Sequence, residues 1–399
     1  MGVNAPYCLW SFILTVIAGL QFDPITLPPE TGALRTDVRA FIEEERTSGT
    51  LKERSASDDG YCPEFSRKLG ARGWLGMMWP KKYGGQERTA FDRYVVNEEL
   101  LISGAPTSTH FVADRQSGPL LLRFGTEQHK TEIVPAIARG ELTFCIGMSE
   151  PHSGSDLASV QTSARKTDGG WIINGTKLWT SWAHRADYMI TLVRTTPLDK
   201  DRHSGLSQFV VDMKSPGVEV RPIINLRGQH DFNEIMLTDC FVPDAMMVGD
   251  EGQGWSQVTS ELGYERSGPE RFLSTFALFR ELVRVIGPTP TPTEAAAIGR
   301  MAAHMMTLRR MSISVAGMLQ EGRSPNVEAA VVKDRGTSFE REMPEIARLL
   351  MPAEPSRDPD VDAYARALGD AMVLVPQLTI QGGTREILRV VIARGLGLR

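Results

Sequence analysis

The sequence has few cysteines, no excess of basic residues and no internal repeat. Its four cysteines, Cys8, Cys62, Cys145 and Cys240, are far apart and form no cluster with histidine. This spacing argues against a structural zinc site and against a disulfide framework, so we predict no metal and a reducing, cytoplasmic location. The net charge of −5 provides no basic field that would bind nucleic acid.

Long apolar runs are also absent beyond the N-terminus, where residues 5–20 read APYCLWSFILTVIAGL. This run is shorter than the ~20 residues that span a bilayer, and it lacks a basic segment and a clear cleavage site. A signal-like segment, an interfacial anchor and an extension of a domain that begins near Phe22 are all open. We favour the last and predict an apolar N-terminal extension over residues 1–21.

The order of periodic patterns predicts three further segments, and 399 residues are enough for two or three domains. Residues 22–140 carry one-sided apolar stripes at helical spacing and form a helical N-terminal domain. Residues 141–250 change to β-type runs and form a middle domain. Residues 251–399 return to helical patterns and form a helical C-terminal domain.

Turn signals punctuate the middle domain. Gly169-Gly170 and Asn174-Gly175 lie between β-rich runs and predict turns. The runs SQFVVDM, VEVRPI and NEIMLTDCFV predict further strands.

A double glycine near the C-terminus marks a place where the backbone is kept free of side chains. In TIQGGTREILRVV, Thr379–Val391, Gly382 and Gly383 precede a helix that Thr384 can cap. A loop that needs flexible residues explains this pattern, and so does a ligand that approaches the backbone closely.

Two segments of the middle domain carry polar groups that suit a bound ligand. GMSEPHSGSDLA, Gly147–Ala158, offers hydroxyls and backbone amides in a loop. KLWTSWAH follows, with Trp179, Thr180 and Ser181 at a strand end. An indole beside hydroxyls could stack on a planar heteroaromatic ring, but core packing explains Trp179 as well.

Glu265 falls on the apolar face of a predicted helix. Read as one helix, Glu261–Phe276 aligns Glu265 with Leu262, three residues before it, and with Phe272, seven residues after it. Pro269, four residues after Glu265, predicts a start or a kink. A carboxylate on an apolar stripe is costly unless it is paired or functional. Desolvation would raise its pKa toward the range of a general base. The alternatives are a salt bridge with an arginine and a place at the margin of the stripe.

Together these segments resemble the acyl-CoA dehydrogenase family from about residue 23 onward. The resemblance is carried by SEPHSGSDLASVQTSARKTDGGWIINGTKLWTSWAHRADY, by RFGTEQHK and VPAIARGE before it, and by GGTREILRVVIARGLGL at the C-terminus. It implies an α+β fold with a helical N-terminal domain, a β-barrel-like or sandwich middle domain and a C-terminal four-helix bundle, with FAD between the last two. It also implies that a carboxylate removes the α-proton of an acyl thioester while the β-hydrogen leaves as hydride to the flavin.

The resemblance assigns the catalytic base to Glu265. Many relatives carry their glutamate where this chain has Gly382. A group similar to isovaleryl-CoA and long-chain acyl-CoA dehydrogenases carries it on the first helix of the C-terminal domain, in a pair that Glu265 and Arg266 match. Gly382 would then leave room for the side chain of Glu265. The backbone amide of Gly382 would donate to the thioester carbonyl, and Arg266 would orient the site. The fallback bases are Glu261, Glu270 and Glu386.

Motif matches in the same family assign the contacts to the flavin or thioester. Trp179 and Ser181 should flank the isoalloxazine ring. The other predicted contacts are Ile146, Met148, Ser149, Gly154, Ser155, Gly383 and Thr384.

The chain departs from the family pattern in segments that hold FAD and CoA. It lacks both the Arg-x-x-Phe-Gly segment that grips the FAD pyrophosphate across a subunit boundary and the glutamine- and glycine-rich adenosine segment before the terminal motif. Gly263 replaces an aspartate that binds CoA in relatives. FAD is therefore expected to be held less tightly or by a partner chain.

Substrate choice is visible only in HFVADRQSGP, a segment that lies near the acyl pocket in relatives. Asp114 and Arg115 there indicate either a polar or bulky acyl tail or a solvated pair at a helix end. We favour the solvated pair.

The leading hypothesis is a FAD-dependent dehydrogenase that passes electrons from an acyl-CoA to an electron-transfer flavoprotein, as a homotetramer or as a hetero-oligomer with a related chain. One alternative is an acyl-CoA oxidase or flavin monooxygenase of the same fold, which oxygen reactivity of the reduced flavin would separate. The other is a degenerate subunit that supports a catalytic partner, which purification with or without a bound yellow cofactor would reveal.

Overall fold

The computed structural model describes residues 20–51, 60–198 and 200–398, and of residues 261–265 it describes the backbone alone. The predicted apolar extension lies almost entirely outside the described residues. Within the described ranges, no helix has the length and apolar character needed to cross a membrane.

The chain divides into two units, one of residues 34–262 and one that joins residues 20–33 to residues 263–398. The helix–sheet–helix order predicted from the sequence is confirmed. The domain boundaries expected at residues 22, 141 and 251 stay predictions.

Short helices build the N-terminal part of the first unit. They are α1 (Thr31–Thr47), α2 (Pro63–Ala71), α3 (Ala90–Ser103), α4 (Ser108–Val112), α5 (Gly118–Phe124) and α6 (Val134–Ala138), with π-helical turns at Ala113–Ser117 and His129–Ile133. The apolar stripe of α1 is buried, and its Phe41 packs on Phe65 and Trp74 with ring centroids 5.5 and 5.3 Å away. Burial of this stripe stabilises the helix more than its intrinsic propensity does.

A single sheet forms most of the rest of this unit. Its strands in the described residues are β1 (Phe144–Gly147), β2 (Ser163–Thr167), β3 (Gly170–Ser181), β4 (Tyr188–Arg194), β5 (Leu206–Asp212), β6 (Val218–Ile223), β7 (Phe232–Pro243) and β8 (Met247–Val248). They are ordered β6-β7-β3-β2-β4-β5-β8, and β1 pairs in parallel with β4. The predicted strands over SQFVVDM, VEVRPI and NEIMLTDCFV are confirmed.

One of the two predicted turns in the sheet is wrong. Gly169 does form the turn between β2 and β3, with φ of 69°. Asn174 and Gly175, however, lie inside β3, where the pairing with β7 shifts register. A Cβ on Gly175 would lie 2.7 Å from Cα of Thr162, so a glycine lets the strand pass this neighbour.

Helices build the second unit. They are the end of α7 (Gly254–Glu265), α8 (Phe276–Ile286), α9 (Pro292–Gln320), α10 (Asn326–Leu350), α11 (Ala363–Leu378) and α12 (Arg385–Gly395). The long helix α10 packs against α8, α9, α11 and α12 and forms the centre of the bundle. Phe22, near the start of the described chain, packs beside Val315 and Val332 of this bundle.

The predicted continuous helix over Glu261–Phe276 is wrong. Helix α7 ends at Glu265, and a 3₁₀ turn, Pro269–Arg271, separates it from α8. Gly268 is extended, with φ of −71° and ψ of 167°, because a residue before proline avoids the helical region. Glu265 is therefore the last residue of a helix, and its predicted alignment with Phe272 on one stripe does not hold.

Candidate active site

A buried ion pair closes the loop that follows β1. Nζ of Lys177, on β3, lies 2.8 Å from Oε1 of Glu150 and also donates to the carbonyl oxygen of Leu192. The backbone amides of Gln161 and Thr162 donate to the same carboxylate, at 2.6 and 2.9 Å. The loop is thus tied at both ends to one charge pair.

Burial has the largest effect on the pKa of both members of this pair. It lowers the pKa of Lys177 to about 8, against the attraction of Glu150. Burial raises the pKa of Glu150, but the Lys177 charge and the hydrogen-bond donors outweigh it, so the net pKa lies below its ordinary value. Both groups are charged at neutral pH, and charge-assisted hydrogen bonds hold the loop.

A β-bulge turns Trp179 outward at the end of β3. Lys177 pairs with Ile235 and Thr180 with Asn233, so β3 has one residue more than β7 over this interval. Trp179 adopts φ of 62°, a left-handed conformation that costs a residue with a Cβ ~1–2 kcal/mol. Its side chain is 57% exposed. The alternative that Trp179 packs in the core is therefore wrong.

The bulge and the loop after β1 are hydrogen-bonded to each other, and we call the two segments together the bulge surface (Met148, Ser149 and Leu178–Ser181). The amide of Leu178 donates to the carbonyl oxygen of Ser149 across 2.8 Å. The indole of Trp179 meets Phe232 edge to face, with ring centroids 6.1 Å apart. This contact orients an indole that otherwise faces outward.

The bulge surface fits a planar cofactor with polar edges. Among the residues that the structure describes, the hydroxyls of Ser149 and Ser181 have no hydrogen-bond partner, and neither has the exposed hydroxyl of Ser155 further along the loop after β1. An exposed indole face and open hydroxyl donors match the flat ring and the polar edge of a flavin. The residues present therefore fit FAD.

The other residues predicted in this segment are placed differently. Ile146 pairs with Ile190 across β1 and β4, and its half-buried side chain borders an apolar cluster. Gly154 and Ser155 are exposed in the turn after the bridge between Glu150 and Ser153. A Cβ on Gly154 would meet nothing within 4 Å, so its own contacts do not require a glycine.

The double glycine forms a tight turn before α12. Gly382 and Gly383 have φ of 65° and 97°, in the region that favours glycine. The hydroxyl of Thr384 caps α12 by accepting from the amide of Ile387. The predicted backbone freedom and the predicted cap are confirmed, whereas contacts of Gly383 and Thr384 with a cofactor stay predictions.

Two buried cations hold this turn through its carbonyl groups. Nε of Arg266 lies 3.3 Å from the carbonyl oxygen of Gly382, and Nζ of Lys333 lies 2.6 Å from that of Gly383. Both side chains are buried, Lys333 completely. The amides of Gly382 and Gly383 donate to no acceptor in the described part of the chain. A turn whose carbonyls are fixed and whose amides are open suits an oxyanion.

The structure narrows the choice of base only in part. The side chains of Glu265 and Glu261 lie outside the described part of the chain, although the backbone places Glu265 directly before Arg266 at the end of α7. Glu386 is exposed on the first turn of α12, and hydrogen bonds from its own amide and from Thr384 lower its pKa. A lowered pKa is the opposite of what a general base near neutral pH needs.

Asp114 and Arg115 are both buried, so the prediction of a solvated pair is wrong. The Asp114 carboxylate accepts from the amide of Gly76 at 2.7 Å and from Arg93 at 3.3 Å. The guanidinium of Arg115 lies over the ring of Phe111, 3.9 Å from its centroid.

Sequence reasoning missed one buried lysine in each unit, Lys177 beside the loop after β1 and Lys333 beside the double-glycine turn. Lys333 follows Ala329 by four residues and precedes Gly336 by three, so small residues flank it on one helix face. These small neighbours were the available sign that the lysine is buried. Lys177 lies in a strand among apolar residues, which was a weaker signal.

Comparison with known proteins identifies the family of this chain. Residues 28–141 match the model of the acyl-CoA dehydrogenase N-terminal domain, and residues 145–240 match the model of the middle domain. The acyl-CoA dehydrogenase FadE26 of Mycobacterium tuberculosis is 31% identical, over 94% of this chain and 98% of the relative. FadE34 of the same organism is 32% identical over 96% of this chain, which spans only 49% of that longer protein.

Solved structures include a close match of the fold. A protein described as the Tcur3481-Tcur3483 steroid ACAD superposes with a TM-score of 0.83 and 27% identity, over 94% of this chain and 98% of the relative. The matched family models and the FadE26 relative, taken with the bulge surface and the double-glycine turn, place the chain in the acyl-CoA dehydrogenase family.

Proposed function

We propose that the chain is a FAD-dependent acyl-CoA dehydrogenase that desaturates an acyl-CoA thioester between its α- and β-carbons. The observation that carries this proposal is the double-glycine turn, whose carbonyls are bound by Arg266 and Lys333 and whose amides are open. No side chain at Gly382 competes with a thioester carbonyl for these amides.

Proton removal and charge stabilisation fall to different residues in this reaction. The Glu265 carboxylate takes the proton from the α-carbon, and the electron pair of that C–H bond forms the double bond to the β-carbon. The amide of Gly382 donates to the thioester carbonyl oxygen, where negative charge develops in the transition state. FAD, when bound, accepts the β-hydrogen as a hydride and so takes up the two electrons of the oxidation.

Trp179 and Ser181 would hold the flavin in this scheme. The indole would supply a flat apolar face, and the hydroxyl of Ser181 would donate to a polar edge of the ring system. We propose an electron-transfer flavoprotein as the acceptor of the electrons.

The substrate class to test first is a bulky, ring-bearing acyl-CoA. The support is the solved relative at 27% identity that is described as a steroid ACAD. The name of that relative also joins two proteins, Tcur3481 and Tcur3483. Together with the missing pyrophosphate and adenosine segments, this favours a hetero-oligomer with a related chain over a homotetramer.

The test is flavin reduction under anaerobic conditions. The purified chain is reconstituted with FAD and titrated with straight-chain, branched and steroid-derived acyl-CoAs, and the flavin absorbance is followed. We expect bleaching by at least one class and slow reoxidation in air. Rapid reoxidation by oxygen would instead indicate an oxidase, and a chain that holds FAD only after a related chain is added would indicate the hetero-oligomer.

A further inference from the structure

An asparagine on β7 fixes the main chain beneath the bulge surface. Asn233 is fully buried, and its Nδ2 donates to the carbonyl oxygen of Thr180 across 2.9 Å. A carbonyl oxygen only accepts, so this contact sets the orientation of the side-chain amide. Thr180 lies between Trp179 and Ser181, the two residues proposed to flank the flavin.

His230 holds the other end of the same amide. Nε2 of His230 lies 2.6 Å from Oδ1 of Asn233. Since that oxygen accepts, Nε2 of His230 carries the proton. The imidazole also stacks on His184, with ring centroids 3.7 Å apart and planes 17° from parallel, which fixes the plane of the donor ring. Rotation of the Asn233 amide would therefore break two hydrogen bonds.

A second contact fixes the main chain on the far side of Ser181. The amide of Trp182 donates to the carbonyl oxygen of Asp231 across 2.8 Å. The Asp231 carboxylate is held in turn by Asn225, at 2.5 Å, and by Arg227, at 2.8 Å. The start of β7 and the residue just before it thus bind the chain on both sides of Ser181.

These two contacts explain how a strained backbone persists at the end of β3. Trp179 and Trp182 both have positive φ, at 62° and 52°. Non-glycine residues keep such conformations only where the surrounding structure determines them strongly. The hydrogen bond from Asn233 fixes the backbone next to Trp179, and the hydrogen bond to the carbonyl oxygen of Asp231 fixes the backbone at Trp182.

We infer that Asn233, oriented by His230 and His184, is a positioning residue that keeps Trp179 and Ser181 in the arrangement that binds the flavin. The identity of the ligand, a flavin, rests on the proposed function. The role of Asn233 in fixing the arrangement of Trp179 and Ser181 is independent of that function.

Hydrogen exchange tests the positioning without any flavin. We compare the amides of residues 178–182 in the wild type and in Asn233→Leu, which keeps the branched shape of the side chain and removes both hydrogen bonds. The matched control is Asn174→Leu, because Asn174 bonds to Asp239 at the other irregularity of the same strand pair and is exposed. We expect about tenfold faster exchange in Asn233→Leu alone, as the loss of a buried hydrogen bond implies. Unchanged exchange at residues 178–182 would overturn the inference.

A second, milder variant keeps the inference testable if Asn233→Leu does not fold. His230→Phe keeps a ring to stack on His184 and removes the donor to Asn233, and His230 is only partly buried. We expect a smaller acceleration of exchange over the same amides. No acceleration in a folded His230→Phe would contradict the role of His230.

Flavin binding and reduction potential supply the second readout. We expect Asn233→Leu to weaken FAD binding about tenfold and to shift the flavin reduction potential, and Asn174→Leu to change neither. Faster exchange with unaltered FAD affinity and potential would overturn the link to the flavin. A wild type that binds no FAD would contradict the proposed function, and the exchange data would still decide whether Asn233 positions the turn.

Discussion

Nε of Arg266 lies 3.3 Å from the carbonyl oxygen of Gly382. This hydrogen bond joins the residue that follows the proposed base to the position where many family members carry their glutamate. The two alternative positions of a catalytic carboxylate, 265 and 382, are therefore close together within one unit of the chain. A carboxylate moved from one position to the other should remain close to the same turn.

Moving the carboxylate is the first prediction. Glu265→Ala should abolish desaturation, and the double variant Glu265→Ala/Gly382→Glu should recover part of it, because the new side chain starts from the same turn. The positive φ of Gly382 will cost the second substitution ~1–2 kcal/mol. The measurement is the rate of flavin reduction by saturating acyl-CoA.

The matched control for this rescue is Glu265→Ala/Gly382→Gln, which has the same shape without the charge. If the glutamine variant recovers as much activity as the glutamate variant, the recovery does not come from a base at position 382.

Loss of the Lys333 hydrogen bond should lower turnover. Lys333→Met removes the donor to the carbonyl of Gly383 and frees the turn that carries the open amides. We expect a ~10–100-fold lower kcat with a smaller change in KM, because the turn acts on charge that develops in the transition state. The control is Arg389→Met, an exposed cation 3.9 Å from Asp334, which should leave kcat unchanged. An unchanged kcat in Lys333→Met would mean that the turn is rigid without this bond.

Removing one member of the buried pair of Lys177 and Glu150 should lower the free energy of unfolding more than removing both charges. Lys177→Met leaves the Glu150 carboxylate buried without its cation, at a cost of ~3–5 kcal/mol. Lys177→Met/Glu150→Gln removes both charges and should regain a large part of that stability. Urea unfolding of the three proteins measures the difference. Equal stabilities for the single and double variants would contradict the role of the charge pair in holding the loop.

Glu340 should make stability depend on pH. Its carboxyl is fully buried at the centre of the helical bundle, and burial raises its pKa to about 8 from an ordinary 4.5. The folded state therefore binds this proton more tightly than the unfolded state. The resulting stability is complete below pH 4.5 and is lost as the pH rises through 8, with a slope of up to ~1.4 kcal/mol per pH unit.

The matching variant is Glu340→Gln, which cannot ionise. The wild-type Tm should fall relative to that of Glu340→Gln as the pH rises from 5 to about 8.5, and the two should be similar at the acidic end. Parallel Tm profiles across this range would show that Glu340 does not titrate there.

Local patterns in the sequence predicted the elements well where one face is buried. The stripe of α1 and the alternating run of β7 are such cases, because side-chain period and burial agree there. The pattern failed at Asn174-Gly175, where a signal typical of a hairpin turn lies inside a long strand, opposite the extra residue of a bulge in β7. A turn and a bulge need the same backbone freedom, and only the cross-strand partner decides between them.

The motifs proposed for flavin binding and for catalysis were predictable from the sequence, whereas the residues that hold each motif in place were not. Trp179 and the double glycine are local features that the sequence displays. The cations that hold the glycine turn come from 116 and 50 positions away, and the amide that holds Thr180 comes from 53 positions away. Such contacts depend on the tertiary fold, so no local sequence pattern predicts them.

The measurement that tests the central proposal most directly is the single-turnover rate of flavin reduction in Glu265→Gln. The control is Glu386→Gln, an exposed carboxyl beside the same turn. We predict that both variants bind FAD and acyl-CoA like the wild type, that Glu265→Gln reduces the flavin ~10²–10⁴-fold more slowly, and that Glu386→Gln keeps the wild-type rate. Flavin reduction by Glu265→Gln within a few-fold of the wild type would contradict Glu265 as the base.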